Sequence, residues 1–211
     1  IYLTTSAKSA GADAALLVTP YYNKPTQEGL YLHYQLIADE VDLPQILYNV
    51  PSRTGCDLLN ETVLRLVDHQ NIVGLKDATG DLGRLEDFMT NLDSEQKDNF
   101  ALYSGDDPTA TEFMINGGRG TISVTSNIVP KTISNICDYA LSGEAKAARE
   151  LDTSLVRLNQ VLFIESNPIP IKWMLNRIGR ITDGIRLPLS HLDTKFHDEA
   201  EEVLAELNLL N

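Results

Sequence analysis

Hydrophobic and polar positions along the chain follow two alternating patterns. Short runs that are apolar on both faces occur at 14–19, 45–50, 72–78, 100–105 and 120–125. Between them, 27–40, 60–69, 82–92 and 108–116 carry apolar residues at helical intervals. Runs recurring every 20 to 30 residues or so, each followed by a helix, predict βα units rather than hairpins. Strands apolar on both faces, such as Ala14-Ala15-Leu16-Leu17-Val18-Thr19, predict a parallel sheet covered by helices. An opening helix is predicted over 1–10, stopped by Gly11. Because the chain opens inside a helix, on Ile1 rather than Met, something upstream is expected to have been lost.

After Thr125 no strand pattern recurs. Helices are predicted over 130–141, 144–164, 168–178 and 193–209, broken at Ser142-Gly143, at Ser166-Asn167-Pro168 and over 179–190. No linker or low-complexity tract separates this helical tail from the βα part.

Five βα units fit either an open doubly wound sheet or part of a (β/α)8 barrel. Polar or reactive residues close nearly every predicted strand: Thr19 to Tyr22, Tyr48-Asn49, Lys76-Asp77, Ser104 to Asp107, and Ser123. Barrel active sites are built at those carboxyl ends, which favours the barrel. No dinucleotide or P-loop fingerprint follows a strand, and Gly117-Gly118-Arg119-Gly120 precedes one.

Composition narrows the function. The 211 residues are 43% hydrophobic, enough for a packed core, and carry a formal net charge of -13 with no basic stretch to compensate. That argues against a nucleic-acid partner. No run of about 18 apolar residues would span a membrane and no export signal opens the chain, so a cytoplasmic protein is expected. Cys56 and Cys137 lack a CxxC context and read as reduced packing residues; His33, His69, His191 and His197 lack a metal-ligand spacing, so no catalytic metal is expected.

The candidate chemistry centres on Lys76, at the end of the apolar run Ile72-Val73-Gly74-Leu75. Burial lowers a lysine pKa and makes the neutral, nucleophilic amine accessible. On its own such a lysine also fits a strand end that snorkels into water. One strand earlier, Tyr48 is suited to relaying protons and Arg53, in the loop after it, to holding a carboxylate with its fork. Taken singly these two also fit a core aromatic and a solvated charge. Taken together, the three suit Schiff-base chemistry: an iminium with a 2-keto acid, then an enamine that attacks a second carbonyl, with no cofactor.

The strings TPYYNKPTQEG from Thr19, YNVPSRTG around Tyr48, GLKDATGD around Lys76, YSGDD at Tyr103, GTISVTSN from Gly120 and NPIPIKW from Asn167 together resemble the dihydrodipicolinate synthase family. These are pyruvate-dependent class I aldolase-type lyases of lysine and diaminopimelate biosynthesis. The resemblance implies a (β/α)8 TIM barrel, here strands 4 to 8 only, with 1–129 a partial barrel and 130–211 the last barrel helix and a C-terminal helical region. It implies Lys76 as the Schiff-base lysine for pyruvate, Tyr48 as the proton-relaying tyrosine, and Arg53 as the ligand of the carboxylate of aspartate-4-semialdehyde. Tyr22 would complete the relay of a partner subunit in a homotetrameric dimer of dimers. Gly105 and Ile122 would line the pyruvate pocket, and Tyr21 would lie at the interface near a lysine feedback site.

Family members begin with three further βα units carrying a Gly-Thr-Thr-Gly-Glu type loop, which this sequence does not contain. The expectation is therefore a truncated synthase with open sheet edges. Two alternatives accompany it. One is an N-acetylneuraminate lyase-like aldolase, disfavoured by the arginine in PSRTG; the other is a non-catalytic remnant acting in folding or oligomerisation.

Overall fold

The five apolar runs form one parallel sheet in the computed structural model, which describes residues 1–210. The order along the chain is α1 (Tyr2–Ser9), β1 (Ala15–Val18), α2 (Gln27–Glu40), β2 (Gln45–Asn49), α3 (Pro51–Thr54) and α4 (Asn60–Leu64). There follow β3 (Ile72–Asp77), α5 (Leu82–Asn91), α6 (Ser94–Asn99), β4 (Ala101–Ser104), α7 (Ala110–Ile115) and β5 (Gly120–Thr121). All of these lie in the first of two compact units, Ile1–Ile122.

The strands run β1-β2-β3-β4-β5 across the sheet with no reversal. A doubly wound sheet reverses its strand order at a switch point, whereas a barrel winds on in one direction. Strand order thus separates the two layouts that periodicity leaves open, in favour of a partial (β/α) barrel.

Register sorts the strand side chains into two faces. Leu17, Leu47, Leu75 and Leu102 are paired in one row and pack with Leu30, Tyr34 and Ala38 of α2, Val63 of α4, Leu85 and Phe88 of α5, and Phe113 of α7. The next row, on the other face, is Val18, Tyr48, Lys76 and Tyr103. Between β2 and β3 the register shifts: Gln45 pairs with Ile72, but Ile46 pairs with Gly74. This one-residue bulge sets the parity, because a slip of one position turns every side chain to the opposite face. Gly74 is required there. A Cβ on it would stand 2.5 Å from the carbonyl oxygen of Ala101.

Local chemistry decides several boundaries. Thr26 caps α2 by accepting from the Gly29 amide at 3.2 Å, and Asp81 caps α5 by accepting from the Gly83 amide at 2.9 Å. Asp93 and Gln96 form a reciprocal capping box that nucleates α6, in a stretch where apolar periodicity predicts nothing. Pro51 opens α3 and Gly55, at φ 67°, ends it, giving a helical turn where a loop is expected. The helix expected over 60–69 stops at Leu64 and gives way to turns.

The second unit, from Ser123 on, holds α8 (Pro130–Leu141), α9 (Ala145–Thr153), α10 (Val156–Val161), α11 (Ile169–Arg177) and α12 (His197–Glu206). The single helix expected over 144–164 is two. Thr153 and Ser154 hydroxyls donate back to the carbonyls of Arg149 and Leu151 at 2.8 and 2.6 Å, competing with the helical ladder at the break. The strand expected to reach Thr125 ends at Thr121; beyond it Ser126 donates its amide to the Ser123 hydroxyl and its own hydroxyl to the Ser123 carbonyl, both at 2.9 Å. Leu155, Leu158, Leu162, Met174, Ala200 and Leu204 are buried. Of the 130–211 stretch, Asn211 lies outside the described residues.

Candidate active site

The residues with chemical capacity gather where the strands end. Tyr48 and Lys76 are paired across β2 and β3, and Tyr103 is paired to Lys76 from β4. Lys76 Nζ lies 4.1 Å from the centroid of the Tyr48 ring. The carbonyl of Tyr48 accepts from both the amide and the hydroxyl of the buried Thr19, at 2.8 and 2.9 Å, which fixes the strand end that carries the phenol.

Burial pushes the Lys76 amine below the ordinary lysine value; the carboxylate of Asp107 opposes that and the charge of Arg53 adds to it. Burial pushes the Tyr48 phenol up, and the Arg53 charge draws it back. One guanidinium therefore acts on both groups. Arg53 occupies the third position of α3, directly after β2, with its amide bonded to the Val50 carbonyl at 2.9 Å.

Gly105 follows β4 and leaves space for the lysine. A Cβ there would come within 2.7 Å of Lys76 Cε and 2.9 Å of Ala78 Cβ. Ile122 follows β5, its amide donating to the Ser104 carbonyl at 2.8 Å and its side chain 39% exposed. Tyr21 and Tyr22 sit on the loop between β1 and α2, at 68% and 93% exposure, and Tyr22 holds φ at 66°, unusual for an aromatic residue. The structure thus brings Lys76, Tyr48 and Gly105 into contact range and places Arg53 within their field. The two loop tyrosines face solvent.

Sequence reasoning passed over Asp107 as a site group, although it lies in the quoted YSGDD string and is buried at 6% exposure. It also passed over Arg84 and Asp57, which hydrogen-bond around Asp77, the neighbour of Lys76. The polar residue after each site residue, Asn49 after Tyr48 and Asp77 after Lys76, was the available signal, since it must point to the opposite face and find its own partner there. Among the described residues no group of three or more His, Cys, Asp or Glu side chains could hold a metal ion, and no helix is long and apolar enough to cross a membrane.

A one-way wound parallel sheet with a half-buried amine and a phenol at adjacent strand ends defines a (β/α)-barrel protein equipped for imine chemistry. The model of the dihydrodipicolinate synthetase family matches residues 1–207, and the chain belongs to that family. It is 53% identical over 210 residues to the 4-hydroxy-tetrahydrodipicolinate synthase of Pseudomonas syringae pv. syringae (strain B728a), covering 100% of this chain and 70% of the relative. It is likewise 53% identical over 211 residues to the enzyme of that name from Marinobacter nauticus, 71% of which is covered. Among solved structures, the chloride-inhibited dihydrodipicolinate synthase of Acinetobacter baumannii, complexed with pyruvate, superposes with a TM-score of 0.94 at 50% identity, over 99% of this chain and 70% of that one. The Thermotoga maritima dihydrodipicolinate synthase does so with a TM-score of 0.94 at 41% identity, over 99% and 71%.

Proposed function

We propose that this chain condenses pyruvate with L-aspartate-4-semialdehyde to 4-hydroxy-tetrahydrodipicolinate, in lysine and diaminopimelate biosynthesis, through an imine on Lys76. The observation that carries the reading is the half-buried Lys76 amine, lowered in pKa by burial and set against the Tyr48 ring. Neutral Lys76 attacks the keto carbon of pyruvate; the carbinolamine loses water and becomes an iminium. The iminium accepts the electron pair left when a proton departs from the adjacent methyl carbon. The resulting enamine forms a carbon–carbon bond to the aldehyde, whose oxygen takes up a proton, and the iminium to Lys76 re-forms; the amine brought by the semialdehyde then adds to that iminium carbon, giving up a proton, and closes the ring as the carbon–nitrogen bond to Lys76 breaks and the lysine amine leaves with a proton. Tyr48 relays those protons, and the Arg53 fork holds the carboxylate of the semialdehyde. Gly105 and Ile122 line the pyruvate side.

Tyr22 and Tyr21 belong, in this reading, to an interface in a dimer of dimers. Support comes from an aromatic side chain at 93% exposure held on a left-handed backbone. Residues 1–129 form the partial barrel and the remainder the last barrel helix and helical tail, in a cytoplasmic protein. The synthase reading is favoured over a sugar-acid lyase by relatives of 53% identity that carry the synthase name, and by Arg53.

Incubation with pyruvate and borohydride, followed by peptide mapping, tests the reading. An adduct on Lys76 is the expected result, and an unmodified Lys76 would remove its basis. Steady-state turnover within about tenfold of an intact relative would exclude a non-catalytic remnant, for which losses of 10²–10³ or more are expected when a charge-stabilising element is missing.

A further inference from the structure

We propose that Arg84 is the positioning residue of this site: its guanidinium ties the end of the strand that carries Lys76 to the segment that follows Arg53, and through Asp57 and Asn49 to the end of the strand that carries Tyr48. The inference rests on the imine reading of Lys76 and deepens it. Arg84 Nε donates to Asp77 Oδ2 at 2.9 Å, one terminal nitrogen donates to Asp57 Oδ2 at 3.2 Å, and the other donates to the Leu58 carbonyl at 2.7 Å. Each direction of the planar fork thus meets a different acceptor, a division that a lysine ammonium cannot reproduce in one plane.

The acceptors are neighbours of the candidate site residues. Asp77 follows Lys76, and its other oxygen accepts from the Thr79 amide at 2.8 Å, fixing the turn that leaves β3. Asp57 and Leu58 lie on the segment that leaves α3, the helix bearing Arg53. The other oxygen of Asp57 accepts from Asn49 Nδ2 at 2.7 Å, while Asn49 Oδ1 accepts from the Leu58 amide at 3.0 Å. Asn49 follows Tyr48 and is paired with Asp77 across the ladder. The loop of bonds therefore closes: Asn49 to Asp57, Asp57 to Arg84, Arg84 to Asp77, and Asp77 back to Asn49 through the strands.

This ring is on the face opposite Tyr48 and Lys76, because alternate strand residues point to opposite sides. The Arg84 side chain is 14% exposed and that of Asp77 8%, so the pairing is shielded from solvent. The charges that act on Lys76 are those of Asp107 and Arg53. An effect of Arg84 on the amine must therefore travel through position.

The test compares Arg84→Lys and Arg84→Ala with the unaltered chain in borohydride trapping of the pyruvate imine across a pH series. Circular dichroism and melting are recorded for each. Displacement of the amine by about 1 Å costs on the order of 10²-fold in rate. Both variants are expected to trap at least tenfold more slowly, with the pH midpoint of trapping raised as Lys76 gains water; added guanidinium is expected to restore part of the rate to Arg84→Ala. A folded Arg84→Lys that traps at the unaltered rate with an unaltered midpoint overturns the inference, as does a loss in Arg84→Ala that guanidinium leaves untouched. Should Arg84→Ala fail to fold, Arg84→Lys decides alone. An unaltered chain that forms no Lys76 adduct overturns the imine reading itself and this inference with it, an outcome visible before any variant is made.

Discussion

The Lys76 amine stands over the face of Tyr48, 4.1 Å from its ring centroid, across a single pair of adjacent strands. The ring holds the amine by shape and by its negative face, while the phenol is the part suited to moving protons. Tyr48→Phe separates the two. It is expected to keep pyruvate trapping on Lys76 within a few fold and to lower steady-state turnover by roughly 10²–10⁴-fold, the usual contribution of a positioned acid or base. Trapping rate and turnover measured on one preparation check this, and parallel losses in both would contradict it.

The direction of the Lys76 shift sets a pH dependence. In the proposed imine chemistry the neutral amine is the attacking species, so trapping is expected to rise with pH, with a midpoint below the ordinary lysine value because burial favours that form. Arg53→Gln removes a positive neighbour, stabilises the ammonium, and moves the midpoint up. Asp107→Asn removes a negative neighbour and moves it down. Midpoints shifting the other way, or neither moving, would show that these charges do not reach the amine.

Gly105→Ala places a Cβ 2.7 Å from Lys76 Cε and 2.9 Å from Ala78 Cβ. The lysine side chain is the part that can yield, so the amine leaves its position by a fraction of an ångström or more. Trapping is expected to fall by up to about 10²-fold while stability drops by only about 1–3 kcal/mol. Denaturant unfolding alongside the trapping assay distinguishes this from general loss of structure.

Gly74→Ala probes the scaffold instead. The new methyl would meet the backbone oxygen of Ala101 at 2.5 Å, and a carbonyl in a strand cannot rotate away. A destabilisation of at least 1–3 kcal/mol or so is expected from urea titration, the cost typical of overpacking. An unchanged midpoint would mean that β3 and β4 can separate at no cost.

Much of this was legible in the chain because buried parallel strands must be apolar on both faces, and a lysine or tyrosine ending such a run stands out. The βα alternation and the choice of Lys76 and Tyr48 as candidates follow from that contrast, whereas Arg53, in the segment after β2, and the family itself were legible only through the resemblance of the motif strings. The short helices α3 and α6 do not, since each is nucleated by a cap rather than by an apolar stripe: Pro51 with Gly55 in one, Asp93 with Gln96 in the other. Nor does the break between α9 and α10, which depends on which hydroxyls turn back to the ladder. Arg84 was invisible for another reason. Its acceptors, Asp57, Leu58 and Asp77, lie 27, 26 and 7 residues away in the chain, and only the folded register brings them to one guanidinium.

The extra residue in β3 gives the candidate site an unusual sensitivity to register. Ile72 and Gln45 are in step before the offset, and Lys76 and Tyr48 are in step after it. Were the ladder to run on from Ile72 without that offset, Leu75 would pair with Tyr48 and Lys76 with Asn49, which turns the amine toward α2 and α5. The sheet would still be apolar and parallel, and the lysine would still be encoded. For this strand the loss of the offset is the chemical equivalent of deleting the candidate nucleophile, which makes the bulge between Ile72 and Lys76 as much a part of the candidate site as the side chains themselves.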